Sequence, residues 1–580
     1  MNIENLKYSD ILLQNKSLMG IKTEISYKIS VLANVTVNPI KEMLELLLRN
    51  NQIKPDIEIG NYDNIIQDSI NYKNANLVIV FLDLYKIVES FQTFFEDLTD
   101  ERYEELNRSV TNEIELIINN LRDCPAVVFN TFTSSYFTSN YTQKSRKDIF
   151  ADELNRYLIQ NIIPNVTTID IGKIITQIGK DKSVDLKLYN LTKTLYTISF
   201  LKNYVSAIEP IILGNTGKLK KAIVFDCDNT LWKGILGEDG MEKIDMSSVS
   251  ANGKYFNTVQ KIALYLSKKG IIVGLCSKNN EEDVREVLLH HKDLVLKEEH
   301  IVIQKINWVD KATNLKSIAK ELNIGLDSIV FVDDSPFEIS LINEQLPEIL
   351  TLQVPKTLYE YPDFMLKNVY KYFNLKLNDD DTQKTQIYKQ QYQREKEKEN
   401  FENIEDYLRT LKICINAYKD NKDFIPRISQ LTQKTNQFNL TTRRYTENQI
   451  NQFIKSDNYY VFCASVSDKF GENGITTLCI LKNITDDKKT VSIDTLLMSC
   501  RIIGRNIEYK FFEFLVDWLK NNNVSNINSE YIPTKKNIQV EKFYDDLGFE
   551  LIKEDNERKE YMLRLKEFKS RNTDYIKLTY

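Results

Sequence analysis

Histidine is nearly absent: the 580 residues hold three, His290, His291 and His300. Nothing before residue 290 can therefore supply the imidazole base of a Ser-His-Asp triad. The seven cysteines (Cys124, Cys227, Cys276, Cys414, Cys463, Cys479 and Cys500) are scattered with no CxxC spacing. That argues against a zinc site or a redox dithiol and fits reduced thiols in the cytoplasm. No apolar run is long enough for a membrane span, and the first residues, MNIENLKYSDILLQNK, lack the apolar core of a signal peptide. A net charge of −6 on so long a chain gives no electrostatic reason to expect nucleic acid or an anionic membrane as partner. The remaining composition, 42% hydrophobic and 27% charged, is that of an ordinary globular protein.

What is present is a rhythm of strands and helices in three blocks. Residues 1–215 alternate apolar runs (ANLVIVFLDLY, AVVFNTF, VTTIDI) with amphipathic stretches (PIKEMLELLLRNNQ, ADELNRYLIQNII), which predicts an α/β parallel sheet. Residues 216–375 repeat the pattern more clearly. Strands are expected at 221–226, 270–277, 300–304 and 328–334, with helices at 257–270, 281–291 and 311–325, the last capped by Gly325. A charged stretch, 376–411, reads as a solvated connecting helix. Residues 412–580 read as a mixed sheet with helices, the strongest of them NIEYKFFEFLVDWLKNNN (506–523). The fold class expected is multidomain α/β.

The chemistry concentrates in the second block. Ala222–Phe225, all apolar, run straight into Asp226 and Asp228. In an open α/β sheet, ligands bind beyond the carboxyl ends of the strands. Ser277 ends the second strand of this block, Asp333 and Asp334 end the fourth, and Lys311 opens the helix after the third. A hard cation such as Mg²⁺ prefers such carboxylates and offsets their mutual repulsion. Lysine and serine then suit the outer oxygens of a phosphoryl group, and a carboxylate can attack phosphorus directly. Lys316 is a rival for the lysine role, but Lys311 lies nearer the strand end. Only 51 positions separate Asp226 from Ser277, so no large cap domain fits between them.

This constellation resembles the haloacid dehalogenase (HAD) superfamily. Its Asp-x-Asp-x-Thr motif stands here as Asp226-Cys227-Asp228-Asn229-Thr230, followed by Ser277, Lys311 and Asp333-Asp334. The resemblance implies Asp226 as nucleophile and Asp228 as acid/base. It implies Mg²⁺ on the side chains of Asp226 and Asp333 and the backbone carbonyl of Asp228, with Asp334 an accessory acid and Thr230 and Asn279 near the phosphate. The longer strings FDCDNTLWKGILGEDG, LCSKNN, KINWVDKATNLKSIAKELNIGLDSIVFVDDSPFE, TQKTNQFNLTTRRY and MSCRIIGRNIE are similar to the FkbH-like family, type IIIC phosphatase-like glyceryl transferases of polyketide-type pathways. Such enzymes take a glyceryl unit from 1,3-bisphosphoglycerate, remove phosphate and load the unit as a thioester on the phosphopantetheine arm of an acyl carrier protein. The family implies an SGNH-hydrolase-like first domain (1–215), a HAD-like second (216–375), a linker (376–411) and a GNAT-like third (412–580).

Departures from those patterns sharpen the expectation. In the first block Asn34 and Thr36 stand where a nucleophilic serine would follow a strand, so a scaffold or carrier dock is expected there, with Asn130 an echo of a family motif. In the third, Arg501-Ile502-Ile503-Gly504-Arg505-Asn506 resembles the GNAT pyrophosphate loop, but Asn506 replaces its last small residue. Arg501, Gly504 and Arg505 are the expected phosphate contacts. Arg443 and Arg444 read as an exposed basic pair, and Trp232, Trp308 and Trp518 as packing residues. Cys500, beside Arg501, is the expected acyl-carrying thiol, with Cys276 and Cys227 as alternatives. A stand-alone phosphatase and a non-catalytic assembly protein are the competing readings.

Overall fold

The computed structural model describes residues 3–20, 23, 25–89, 94–137, 142–375, 384–398, 400–484, 489–555 and 557–580. The chain forms two compact units, Met1–Ile212 with Tyr445–Gln449, and Leu213–Arg444 with Ile450–Tyr580. No helix among the described residues is long and apolar enough to cross a membrane.

The first unit is built on a parallel sheet of five strands: β1 (Ile25–Ala33), β2 (Ile53–Ile59), β3 (Leu77–Phe81), β4 (Val127–Asn130) and β5 (Val166–Ile169), in the order β2-β1-β3-β4-β5. β3, LVIVF, is buried on both faces, as a central parallel strand covered by helices must be. β2, IKPDIEI, escapes sequence reading because it is an edge strand. There Pro55 costs no ladder bond, and the outer residues stay polar.

The carboxyl ends of these strands hold a closed polar network. Asn34 exchanges two hydrogen bonds with the backbone of Asp83 (3.1 and 2.7 Å), and Asn130 does the same with Leu82 (2.8 and 3.0 Å). The Asp83 carboxylate is fully buried and accepts from Tyr196 Oη (2.5 Å), Tyr136 Oη (3.3 Å) and the Tyr85 amide (2.8 Å). Burial outweighs these donors and pushes its carboxyl up to about 6. A carboxyl raised on folding favours the fold while protonated and costs stability as pH rises through the folded value. Stability should therefore fall between about pH 4 and pH 7, by up to about 3 kcal/mol. Asp83→Asn keeps the shape, and its amide can donate to Tyr196. Urea titrations at pH 5 and 8 should show this slope in the wild type and lose most of it in the variant.

The second unit carries two sheets. The first is parallel, with β6 (Ala222–Phe225), β7 (Ile272–Ser277), β8 (Ile303–Ile306), β9 (Ile329–Asp333) and β10 (Leu350–Gln353) in the order β10-β9-β6-β7-β8. The four strands expected from the sequence are present, and β10 is additional. The helix Lys311–Glu321 stops four residues before the expected glycine. Asn323, with φ +51°, takes the left-handed turn, and Gly325 has an ordinary φ of −69°.

The second sheet is mixed. Its strands are β11 (Cys414–Lys419), β12 (Phe438–Asn439), β13 (Tyr459–Asp468), β14 (Gly471–Asn483), β15 (Thr490–Met498), β16 (Asn526–Tyr531), β17 (Glu550–Glu554), β18 (Lys559–Arg564) and β19 (Lys577–Thr579). β15 and β16 are parallel, joined through the amphipathic helix Ile507–Asn521, and pair only over Thr490–Ser492 with Asn526–Asn528. Beyond that they part, and the chain itself fills the gap. β12 pairs with Leu497 and Met498 of β15, and Ile532 N–H reaches the Leu440 carbonyl at 2.9 Å.

Two expectations need correction here. Residues 376–383 and 399 of the charged segment lie outside the described residues, but the helix Lys384–Lys398 is not simply solvated. Ile387, Tyr388, Gln391 and Arg394 share a buried stripe, and Arg394 grips Asp468 through Nε (2.9 Å) and a terminal nitrogen (2.7 Å). The basic pair is also committed. Arg443 binds Asp494 and Glu530 across the parting strands, and Arg444 caps carbonyls at the end of the helix Ile425–Lys434.

Candidate active site

Three neighbouring strands, β9, β6 and β7, end side by side, and this adjacency assembles the site. Asp226 follows β6, Asp333 closes β9 and Ser277 closes β7, all buried. Lys311 is brought in by the helix after β8, whose start is fixed by Asp310 accepting the Thr313 amide at 2.8 Å. Its ammonium lies 3.1 Å from Asp226 Oδ1 and 2.6 Å from Asp333 Oδ2. Lys316 is exposed, one turn further on, and takes no part.

The carboxylate oxygens of Asp226, Asp333 and Asp334 lie within 4.8 Å of one another. Burial, with Asp333 adding to it and Lys311 opposing it, pushes the Asp226 carboxyl up to about 6. Asp333 is raised by burial as well, and Asp334 by burial and the Asp226 charge. Burial opposes the charge on Lys311, yet the two aspartates outweigh it and hold the ammonium above its ordinary range. Three carboxylates facing one ammonium leave negative charge uncompensated. An oxygen-seeking divalent cation fits that deficit. Asp333 already accepts from Lys311 and, through Oδ1, from the Ser335 amide at 2.9 Å. Among the described residues the Asp334 carboxylate meets only its own backbone N–H, so it is open to a cation beside Asp226 and Asp333. Asp334→Asn should accordingly weaken magnesium binding at least tenfold, on the scale of effects at metal sites. Isothermal titration calorimetry at pH 7.5 would read it.

Asp228 is not among the three clustered carboxylates; it is locked nearby. Its Oδ1 accepts from Trp232 Nε1 (2.9 Å) and the Leu236 amide (3.0 Å), and its Oδ2 from Asn279 Nδ2 (2.9 Å). Trp232 is therefore more than packing, and Asn279, which also reaches Ser277 Oγ at 3.2 Å, orients both the Asp228 carboxylate and the serine. No local sequence pattern marks that tryptophan. Only its position four residues after Asp228 places it within reach. Thr230 is fully buried, and its hydroxyl has no hydrogen-bond partner among the described residues. Trp308, expected to pack, is 77% exposed in the loop between β8 and Lys311.

The GNAT-like loop is arranged differently from the expectation. Arg505 is buried, with one terminal nitrogen on Asp468 (2.9 Å) and the other on Gln391 (2.7 Å) and the Arg501 carbonyl. Both terminal nitrogens are thus engaged within the chain. Gly504 turns with φ +82°, and Asn506, at φ +60°, ties to Tyr575 Oη. Cys227 and Cys276 are buried, and burial pushes both thiols up. Cys500 is part-exposed. It does not face the carboxylates: its carbonyl accepts from Asn323, just before β9, at the opposite end of the sheet.

No family model and no curated protein matches the sequence. Among solved structures, the chain is similar to the N-terminal part of the protein BF1531 from Bacteroides fragilis, described as containing a phosphatase domain complexed with Mg. Identity is 23% and the TM-score 0.55, over 64% of this chain and 100% of that one. This likeness establishes the fold. Fragment-level likenesses cover 26% of the chain: a GNAT-family acetyltransferase from Desulfovibrio desulfuricans (8% identity, 99% of that chain, TM-score 0.21) and the ribosomal-protein-S18-alanine N-acetyltransferase from Escherichia coli (12%, 94%, 0.21). At those scores they carry no argument.

Proposed function

We propose that the chain is a Mg²⁺-dependent HAD-type enzyme of the FkbH-like kind. It takes a glyceryl unit from 1,3-bisphosphoglycerate, removes phosphate and delivers the unit as a thioester to an acyl carrier protein. The observation that carries the phosphatase half is the cluster of buried Asp226, Asp333, Lys311 and Ser277 with part-exposed Asp334 at adjoining strand ends. Magnesium held by Asp226 and Asp333, with Asp334 beside them, would neutralise charge on the phosphoryl oxygens. Lys311 and Ser277 bind those oxygens, Asp226 attacks phosphorus, and Asp228, oriented by Trp232 and Asn279, gives a proton to the leaving oxygen. Cys500 supports the acyl-transfer half, as the one part-exposed thiol of the three considered.

The test is incubation with 1,3-bisphosphoglycerate, Mg²⁺ and a holo carrier protein. Intact-mass analysis should find a glyceryl adduct on the phosphopantetheine arm; phosphate release with no adduct rejects the transfer. A specific observation favours the competing stand-alone phosphatase: β12 fills the gap between β15 and β16, and Arg505 is consumed internally. A phosphatase of that kind turns over fully without any thiol acceptor.

A further inference from the structure

We infer that Lys278 sets the substrate class of the crevice: its ammonium receives a second anionic group, carboxylate or phosphate, on the molecule whose phosphoryl group meets Asp226. The inference rests on the phosphoryl-transfer reading of that crevice and adds to it a residue and a substrate feature.

The strand register places Lys278. Val224, Phe331 and Cys276 share one buried cluster and so mark one face of the parallel sheet. Phe225 pairs with Leu275 and with Val332. Carried one residue on, the register sets Asp226 level with Cys276 and Asp333, with their side chains on that same face. Lys278 follows Cys276 by two residues, about 7 Å further out at the mouth. Its ammonium reaches Glu338 Oε1 at 2.7 Å, and Glu338 stands one helical turn before Ile342, which packs in the same cluster. Ala312 and Leu315, on the helix that brings in Lys311, belong to that cluster too. β6, the strand leading to Asp226, lies between β7 and β9. The ion pair therefore links the segments that follow β7 and β9, on the Lys311 side of the mouth.

The pair is unequal. Glu338 is 7% exposed, and its Oε2 is buried without a hydrogen-bond partner. The Lys278 side chain is 36% exposed. With the acid covered and the base open, the pair turns its positive end to the mouth. An ammonium has three N–H donors, and Glu338 is the one hydrogen-bond partner of Lys278 among the described residues. Two donors are left for a ligand. Asp310, whose carboxylate also senses Lys278, is committed as the cap of the helix Lys311–Glu321. A half-exposed ion pair adds little to stability. It does hold a flexible lysine in one place, which lowers the cost of ordering it on a bound anion. Deeper in the crevice Lys311 is already shared by Asp226 and Asp333. A second anion on the substrate thus finds its cation at Lys278, which serves carboxylate and phosphate alike as a point charge.

Two three-carbon phosphomonoesters of nearly the same shape test this. 3-Phosphoglycerate carries a carboxylate where glycerol 1-phosphate carries a hydroxymethyl group. With the full chain and Mg²⁺, kcat/KM for phosphate release should favour 3-phosphoglycerate at least fivefold. Lys278→Gln should lower that ratio at least fivefold, through KM rather than kcat, and Lys278→Arg should keep most of it; Lys278→Met serves if the glutamine variant fails to fold. Calorimetric dissociation constants for the two esters, measured with Mg²⁺ in the Asp226→Asn protein with and without the Lys278 substitution, read the same preference without turnover. There 1,3-propanediol bisphosphate, set against 3-phosphoglycerate, ranks the two sources: the tighter binder names the second group as phosphate or carboxylate. Equal affinity for the two monoesters, or a preference that survives in a folded Lys278 variant, overturns the inference. Phosphate release without the preference rejects Lys278 and keeps the phosphatase; a Lys278-dependent binding preference without release does the reverse.

Discussion

Asp226→Asn is expected to cut phosphate release from a simple phosphomonoester at least about 10³-fold, the scale of losing a covalent nucleophile, without lowering stability. The two halves of that expectation come from the same geometry. Asp226 shares the Lys311 ammonium with Asp333, and its own carboxyl is raised to about 6. A carboxyl raised on folding costs stability once pH passes through that value. Asparagine keeps an oxygen for Lys311 and removes the charge. The metal-free variant should therefore melt no lower than the wild type at pH 8, and the difference should vanish below pH 4, where both are uncharged. Rapid-quench mass analysis should find one phosphoryl group on the wild-type peptide holding Asp226 and none on the variant's. Retained turnover, or a phosphoryl group elsewhere, would remove Asp226 from the nucleophile's role.

The parts of this site that were legible in the sequence share a property: each is announced by its own strand. A buried run ending in Asp226, another in Ser277 and a third in Asp333 place their side chains by topology, because parallel strands bring like ends together. Lys311 follows from the helix after β8. The illegible parts depend on contacts far apart in the chain. The tie between Arg394 and Asp468 spans 74 residues, and it turns a charged helix that reads as solvated into a packed one. Arg505 reads as a phosphate contact until Asp468 and Gln391 claim it. β12 is two residues long, with no periodicity to detect, yet it decides what lies between β15 and β16. Trp232 belongs to a third kind. It is close in sequence to Asp228, but its hydrogen bond depends on a side-chain direction that no spacing fixes.

Lys311→Met is the substitution expected to cost most. It replaces the ammonium by an apolar group of similar length and leaves Asp226 and Asp333 buried without their cation. Removing one partner of a buried ion pair costs about 3–5 kcal/mol, and here one lysine serves two acids. The deficit should be largest in metal-free protein above pH 7. It should shrink toward pH 5, because the aspartates, no longer held down by the lysine, protonate and escape their repulsion. Magnesium should recover part of the stability by supplying charge to the same carboxylates, but not the activity, since the phosphoryl oxygens have still lost their donor. Lys316→Met, on the exposed face of the same helix, should stay within about 0.5 kcal/mol of wild type. Chemical denaturation of both variants with and without magnesium at pH 5 and 8 distinguishes these outcomes; an equal and pH-independent loss in the two would mean that Lys311 only packs.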